Sequence, residues 1–288
     1  MSLTPAPIEE PVVHVVMPAL DEEAAIGAVI AEIPRRHVAG IYVGDNGSRD
    51  RTAEIARASG AMVVEAARRG YGSACLAALA ALPPAEDRTK EIIVFLDADH
   101  SDHPEDLPSL LAPILSGRAL VVIGSRVNPR CEKGALLPQA RFGNWLATRL
   151  LRLLYGVRYT DLGPFRAIRR DAFDLLGMRD PDFGWTVELQ ARAARLGLPS
   201  TEVPVGYRRR VGRSKITGTI RGTVRAGVKI IGVILTERLR RDRPALGPED
   251  PRTGDEAQEP LALGVSPGED RGEPRSCEAG ARSEGGSG

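Results

Sequence analysis

With 288 residues, 42% of them hydrophobic and 27% charged, the chain has ordinary globular composition and length enough for one large core with appendages. Three widely spaced cysteines, Cys75, Cys131 and Cys277, exclude a disulfide framework or a CxxC zinc site. The N-terminus, with Glu9 and Glu10 and neither a basic nor an apolar stretch, is not a signal peptide, so a cytoplasmic location is expected. The net charge of +1 conceals an asymmetry: residues 1–243 hold 35 basic and 28 acidic side chains, about +7, whereas residues 244–288 hold ten acidic and four basic ones.

Residues 1–11 are expected to be a flexible N-terminus. From there to Gly124 short β-branched runs alternate with Ala-rich stretches. Val12–Met17, Ile41–Gly44, Ala61–Glu65, Ile92–Leu96 and Leu120–Gly124 read as strands of a parallel sheet buried on both faces. Glu22–Ile33, Arg51–Ser59, Gly72–Leu82 and Glu105–Leu115 read as crossover helices, which gives a doubly wound α/β unit. Ligands of such sheets bind beyond the carboxyl ends of the strands, where Pro18-Ala19-Leu20-Asp21-Glu22-Glu23, Asp45-Asn46-Gly47-Ser48 and Asp97-Ala98-Asp99 fall. Two carboxylates spaced by two at the mouth of a buried strand suit Mg²⁺ or Mn²⁺ bridging a diphosphate. Asp45 and Asn46 are free to hydrogen-bond a ligand while Asp50 caps the next helix, and Gly70 and Gly72 would let backbone approach a ligand closely.

Beyond Gly124 the pattern predicts a helix over Phe142–Tyr155, a strand over Phe165–Arg169, a helix around Trp185–Leu196, a strand over Glu202–Tyr207 and a long helix from Ile216 to Arg240. Between Pro204 and Arg243 twelve Arg or Lys residues stand against Glu237 and Asp242, an electropositive segment that wants phosphates or anionic lipid. In the last helix Ile216, Ile220, Val224, Val228, Ile231 and Leu235 recur at three and four, so that one face either packs on the sheet or lies on a membrane surface. Arg221, Arg225 and Lys229 interrupt it, which excludes a spanning segment. After Pro244 there is no aromatic residue and no apolar periodicity, the composition of a disordered tail.

In order and spacing the Val16-to-Glu23, Asp45-to-Ser48 and Asp97-to-Asp99 segments resemble the nucleotide-sugar half of family 2 inverting glycosyltransferases with the GT-A fold, a Rossmann-like α/β fold with a mixed, mainly parallel sheet. Ile123-Gly124-Ser125-Arg126, Asp161-Leu162-Gly163-Pro164-Phe165-Arg166 and Arg210-Val211-Gly212-Arg213-Ser214-Lys215 resemble the branch that glycosylates polyprenyl (dolichyl) phosphate with mannose or glucose. The resemblance implies a nucleotide-sugar-binding half over 12–125, an acceptor-binding half with a basic mobile loop over 126–215, an amphipathic basic helix over 216–243 and a tail over 244–288. It implies Pro18, Ala19, Leu20, Glu22, Asp45, Asn46 and Gly72 around the nucleotide. Asp97 and Asp99 would hold the metal, Arg126 would partner the acceptor phosphate, Arg166 would be a further binding residue, and Arg210, Ser214 and Lys215 would cover the phosphates. Asp99, Asp161 and Glu188 are the candidate catalytic set.

Two positions depart from the family pattern, Asp21 standing for the usual Asn and Asn46 for the usual second Asp. The third metal ligand is open between Ser101, Asp102 and none, and Glu188 is open between a helix-surface acid and a group that orients the acceptor or acts as base. The expected partners are a nucleotide-diphosphate sugar and a polyprenyl phosphate, the alternative being a soluble acceptor, with peripheral contact at the inner face of the plasma membrane. A nucleic-acid partner is disfavoured because no aromatics interleave the basic residues after Tyr207.

Overall fold

A computed structural model describes residues 3–212 and 220–240. Seven strands, β1 (Val12–Ala19), β2 (Val38–Asp45), β3 (Met62–Glu65), β4 (Glu91–Phe95), β5 (Val121–Ser125), β6 (Arg166–Arg169) and β7 (Ser200–Pro204), form one sheet in the order β3-β2-β1-β4-β6-β5-β7. All neighbours pair in parallel except β6, which runs antiparallel to both β4 and β5. The sheet is therefore mixed and mainly parallel, as expected, but β6 of the second half completes it from within. The boundary near residue 125 does not divide the sheet.

The strands alternate their side chains between two cores. Val13, Val15 and Met17 of β1, with Ile92 and Val94 of β4, face α1 (Ile26–Glu32), α2 (Thr52–Ala58) and α4 (Leu107–Leu115). Val16, Ile93 and Phe95 face the opposite core, which is closed by α3 (Tyr71–Ala80), α5 (Pro138–Tyr155), α6 (Arg170–Leu176), α7 (Trp185–Arg195) and α8 (Ile220–Leu239). Period-two alternation with apolar side chains on both faces is what makes these strands continuous hydrophobic runs.

Several expectations are corrected. Residues 3–11 are seated rather than loose: the Ile8 N–H donates to the Leu115 carbonyl at 2.9 Å, and Pro7 bridges Ser116. Their proline-rich sequence carries no periodicity from which this could be read. Helix α6 was not foreseen because its seven residues are too few to establish a period. Helix α5 begins four residues before Phe142, at Pro138, whose fixed φ and missing N–H suit a first helical position. The last helix is described from Ile220. The expected Ile216–Thr219 start and the tail of residues 244–288 lie outside the described residues.

Candidate active site

The carboxyl ends of β1, β2 and β4 open into a cavity of about 500 Å³. Pro18, Ala19, Leu20 and Glu22 from the end of β1, Asn46 after β2, and Asp97 and Asp99 after β4 line it. Its walls fold as they do because the first two loops lock together. The Arg49 N–H donates to Asp21 Oδ1 at 2.7 Å and the Asp21 N–H to Ser48 Oγ at 2.9 Å, while the Arg51 N–H reaches Glu23 Oε2 at 3.1 Å. Asp21, one of the two departures, thus stitches loops, and its φ of 49° is the left-handed conformation that an Asp tolerates better than a bulkier residue. The N-cap of α2 is Arg51 rather than the expected Asp50, whose Oδ1 accepts the Thr52 N–H at 2.9 Å from one position earlier.

Asp45 is buried and accepts from the Ser48 N–H at 3.3 Å and from the Ser48 hydroxyl, so it orders the turn beneath the cavity. Asn46, the second departure, accepts the Gly70 N–H on Oδ1 at 2.8 Å and ties the next loop to the wall. Gly72 corrects its expectation. A side-chain carbon there would lie 1.9 Å from the Asp180 carbonyl oxygen, and one at Gly70, whose φ is 148°, would lie 2.2 Å from that of Pro181. These glycines allow the start of α3 to meet the 180–182 backbone, with the Ser73 N–H donating to the Pro181 carbonyl at 2.8 Å. The glycines thus permit a close approach to the 180–182 backbone, and Gly70 also lines the cavity.

The two aspartates differ in their surroundings. Asp97 accepts the Tyr71 hydroxyl proton at 2.8 Å, yet burial and then the charge of Asp99 push its carboxyl up to about 6. Asp99, 5% exposed, accepts on Oδ1 from the Ser101 hydroxyl at 2.5 Å and the Ser101 N–H at 2.9 Å. Its Oδ2 is ion-paired with Arg210, whose guanidinium also lies 3.8 Å from Glu22. Ser101 is therefore a brace for Asp99. Asp102 is buried nearby, and burial together with the charges of Asp97 and Asp99 pushes its carboxyl well above the usual carboxylate range. His100 and His103 turn to Glu32 and Glu105, at 2.8 and 2.7 Å. Among the described residues no three His, Cys, Asp or Glu side chains converge as a metal cage. The half-buried Asp97 and the buried Asp99, which already draws the Arg210 guanidinium onto itself, nevertheless fit a hard divalent cation that takes its other oxygens from a diphosphate.

Three candidates from the second half are placed differently from expectation. Glu188, 3% exposed on α7, accepts the Asp180 N–H at 2.7 Å and the Arg179 N–H at 3.1 Å, and pairs with Arg192 at 2.6 Å. Burial raises its carboxyl, partly offset by those N–H groups, and it braces the 179–184 loop without lining the cavity. Arg166, 1% exposed, donates to the carbonyls of Thr186 (2.8 Å), Leu162 (3.1 Å) and Gly163. Burial lowers its guanidinium to about 10, and it staples a turn rather than presenting charge to a ligand. Asp161 is wholly buried and grips Arg126, whose Nε and a terminal nitrogen each donate at 2.8 Å and whose backbone N–H donates at 2.7 Å. Burial would raise the Asp161 carboxyl, but the Arg126 charge and these bonds hold it below its ordinary value.

Arg126 stacks over the Tyr207 ring at 4.9 Å and lines a second cavity of about 540 Å³ with Asn128, Arg141, Asn144 and Thr160. Ser214 and Lys215 lie outside the described residues. No site role was expected of Tyr71, Asp182, Phe183 or Lys229, which all line the first cavity. Lys229 reaches it from α8, with Nζ 2.9 Å from Asp182 and 3.1 Å from Asp180. The one signal in the sequence was the interruption that Lys229 makes in an apolar helix.

The chain matches the family described as Glycosyl transferase family 2 over residues 14–177. It is 39% identical over 214 residues to an uncharacterized glycosyltransferase of Mycobacterium tuberculosis, covering 74% of this chain and 93% of the relative. To a dolichyl-phosphate hexose transferase of Haloferax volcanii it is 37% identical over 228 residues, covering 78% and 95%. Among solved structures it is similar to glucosyl-3-phosphoglycerate synthase from M. tuberculosis in complex with Mn²⁺, UDP and glucosyl-3-phosphoglycerate, with a TM-score of 0.64 and 27% identity over 81% of each chain.

Proposed function

The chain belongs to glycosyl transferase family 2, a GT-A enzyme, and from that premise we propose that it moves a mannose or glucose, with inversion, from a GDP- or UDP-sugar to polyprenyl phosphate. The observation that carries this reading is the Asp97–Asp99 pair at the end of a buried strand, inside a cavity walled by Pro18, Ala19 and Leu20 and already holding a cationic side chain. Asp97 and Asp99 would hold Mn²⁺ or Mg²⁺, which neutralises the charge developing on the departing nucleoside diphosphate.

The residues of this chain supply the rest. Pro18, Ala19, Leu20 and Glu22 hold the nucleoside, with Asn46 and Asp45 fixing the wall. Arg210, which lies on Asp99 and near Glu22, would be free to meet the diphosphate if a metal ion were held by Asp99. Arg126, held rigid by Asp161, presents its guanidinium to the phosphate of the acceptor, a charge-assisted contact. A phosphate acceptor is already an anion and needs no strong base to attack the anomeric carbon, which agrees with Glu188 being clamped on backbone N–H groups.

A second reading keeps this donor chemistry with a soluble phosphate-bearing acceptor. It is favoured by the similarity to glucosyl-3-phosphoglycerate synthase and by the absence, among the described residues, of a helix long and apolar enough to cross a membrane. Product formation from GDP- and UDP-hexoses, with Mn²⁺ or Mg²⁺, in the presence of polyprenyl phosphate or 3-phosphoglycerate, decides between them. Transfer to the lipid alone is expected. Transfer to the soluble phosphate alone establishes the second reading, and full turnover in excess chelator removes the metal from both.

A further inference from the structure

On the outward face of α5, Trp145 also lines the second cavity, whereas Phe142, Arg149, Arg152 and Leu153 line neither. The 18 residues of α5 contain no acid. Phe142, Trp145 and Leu153 recur on one side of the helix at 62%, 51% and 79% exposure. Arg149 and Arg152 share that side, both exposed, and the Phe142 and Trp145 rings stack with centroids 5.9 Å apart while Arg149 lies 5.7 Å over the Trp145 ring. A stacked aromatic pair left in water, flanked by cations and unopposed by any carboxylate of its own helix, is costly unless something covers it.

Helix α8 packs beside α5, with the Tyr155 hydroxyl donating to the Ile234 carbonyl at 2.8 Å. Val228, Leu235 and Leu239 are exposed there at 67%, 46% and 79%, at helical spacing, and Arg238 is exposed with them. The acid of this stretch, Glu237, is turned inward, 3% exposed, onto Arg192 at 3.0 Å. Both helices thus bury or lack acids and show apolar side chains and arginines.

We propose that the exposed face of α5, with α8 alongside, is a docking surface for an anionic phospholipid bilayer, into which Phe142, Trp145 and Leu153 insert while the arginines meet the headgroups. Charge complementarity selects this occupant. A second copy of the chain would bring arginines against arginines, whereas a negative membrane surface answers both the apolar side chains and the uncompensated cations. Aromatic rings with one apolar and one wet edge and arginines that snorkel from an apolar stem are the residue types that such an interface takes. The proposal stands apart from the acceptor: an enzyme acting on a soluble phosphate could still sit on a membrane.

The test uses the full chain with phosphatidylcholine vesicles, with and without phosphatidylglycerol, none containing polyprenyl phosphate. Trp145 is a built-in reporter, because the protein's other tryptophan, Trp185, is buried at 1% exposure. Co-sedimentation with the anionic vesicles and a blue shift of tryptophan emission are expected, with little binding to phosphatidylcholine alone. The double variant Leu153→Asp/Leu239→Asp should lose both signals. Arg149→Gln/Arg152→Gln should lower partitioning by on the order of tenfold or more, since each basic residue near an anionic surface contributes measurably. These side chains are exposed, so unchanged metal-dependent turnover of soluble donor serves as the folding control. No binding by the wild-type chain, binding without an emission shift, or binding unaffected in both variants overturns the proposal. So does a dimer in sedimentation velocity that both variants dissolve without any vesicle binding, which would make the face a contact between copies.

Discussion

If Asp99 holds a divalent cation as proposed, that cation must compete with Arg210 for one carboxylate. The guanidinium rests on Asp99 and leans towards Glu22. Arg210→Ala should therefore bind Mn²⁺ alone several-fold more tightly while turning over more slowly, because the diphosphate loses a charge-assisted partner. Isothermal titration of Mn²⁺ without nucleotide, set beside kcat, checks both halves. An unchanged Mn²⁺ affinity would show that the pair does not obstruct the site. Asp99→Asn should abolish transfer and leave the melting temperature close to that of the parent, since an amide keeps the Ser101 bonds but cannot hold a cation against a diphosphate. Asp97 adds a pH dependence. Its carboxyl is raised to about 6, so it is increasingly protonated as pH falls through that value, and Mn²⁺ affinity should drop there. The sign for stability is opposite. A raised carboxyl contributes stability that is fully present below its ordinary value and lost as pH rises through about 6, so the metal-free protein should melt lower at neutral pH and regain stability with Mn²⁺. Titrations across roughly pH 5 to 8 read both trends.

At the scale of elements, what the sequence made legible was whatever has a period or a fixed partner nearby. The buried strands read as continuous apolar runs, and their carboxyl ends located Asp45, Asn46, Asp97 and Asp99 before any coordinate. Strand β6 was visible as a strand, but its insertion between β4 and β5 is a tertiary choice that four residues cannot announce. Glu188 was ambiguous because an acid after an aromatic patch looks alike whether it faces substrate or backbone. Only the packing of α7 against the 179–184 loop resolves it. The loop matters because Asp182 and Phe183 line the cavity, and its position is set by Glu188 from one side and the bare backbones of Gly70 and Gly72 from the other. Glu188→Gln should thus cost about 1–3 kcal/mol of stability, a few degrees in melting temperature, and raise KM for donor with a modest change in kcat. A base would behave otherwise, with kcat falling by orders of magnitude and the melting temperature unmoved. Calorimetry beside initial rates separates the two.

Across the whole molecule the two halves of the chain meet in a single sheet. Arg126 follows β5 directly, and its fork is fixed by Asp161 from the segment before β6. Glu202 on β7 then fixes that segment, accepting the Thr160 N–H at 2.8 Å and the Asp161 N–H at 3.1 Å. Three strands thus converge on one guanidinium, an arrangement whose components are 35 to 76 residues apart in sequence and which no local pattern could display. If that guanidinium serves the acceptor, loosening it should spare the donor. Asp161→Asn removes the charge and half of the fork while keeping the volume. It is expected to lower kcat/KM for a phosphate acceptor roughly ten- to a hundredfold, the scale of one lost charge-assisted contact of about 1.5–3 kcal/mol. Slow hydrolysis of the donor by water, which offers no second phosphate, should change little. Arg126→Lys keeps the charge but not the planar fork and should show the same selectivity to a smaller degree. A melting curve for each variant guards against mere unfolding, which would reduce both reactions together. Equal losses in transfer and hydrolysis by a folded variant would move Arg126 to the donor phosphates and leave the acceptor to be sought elsewhere.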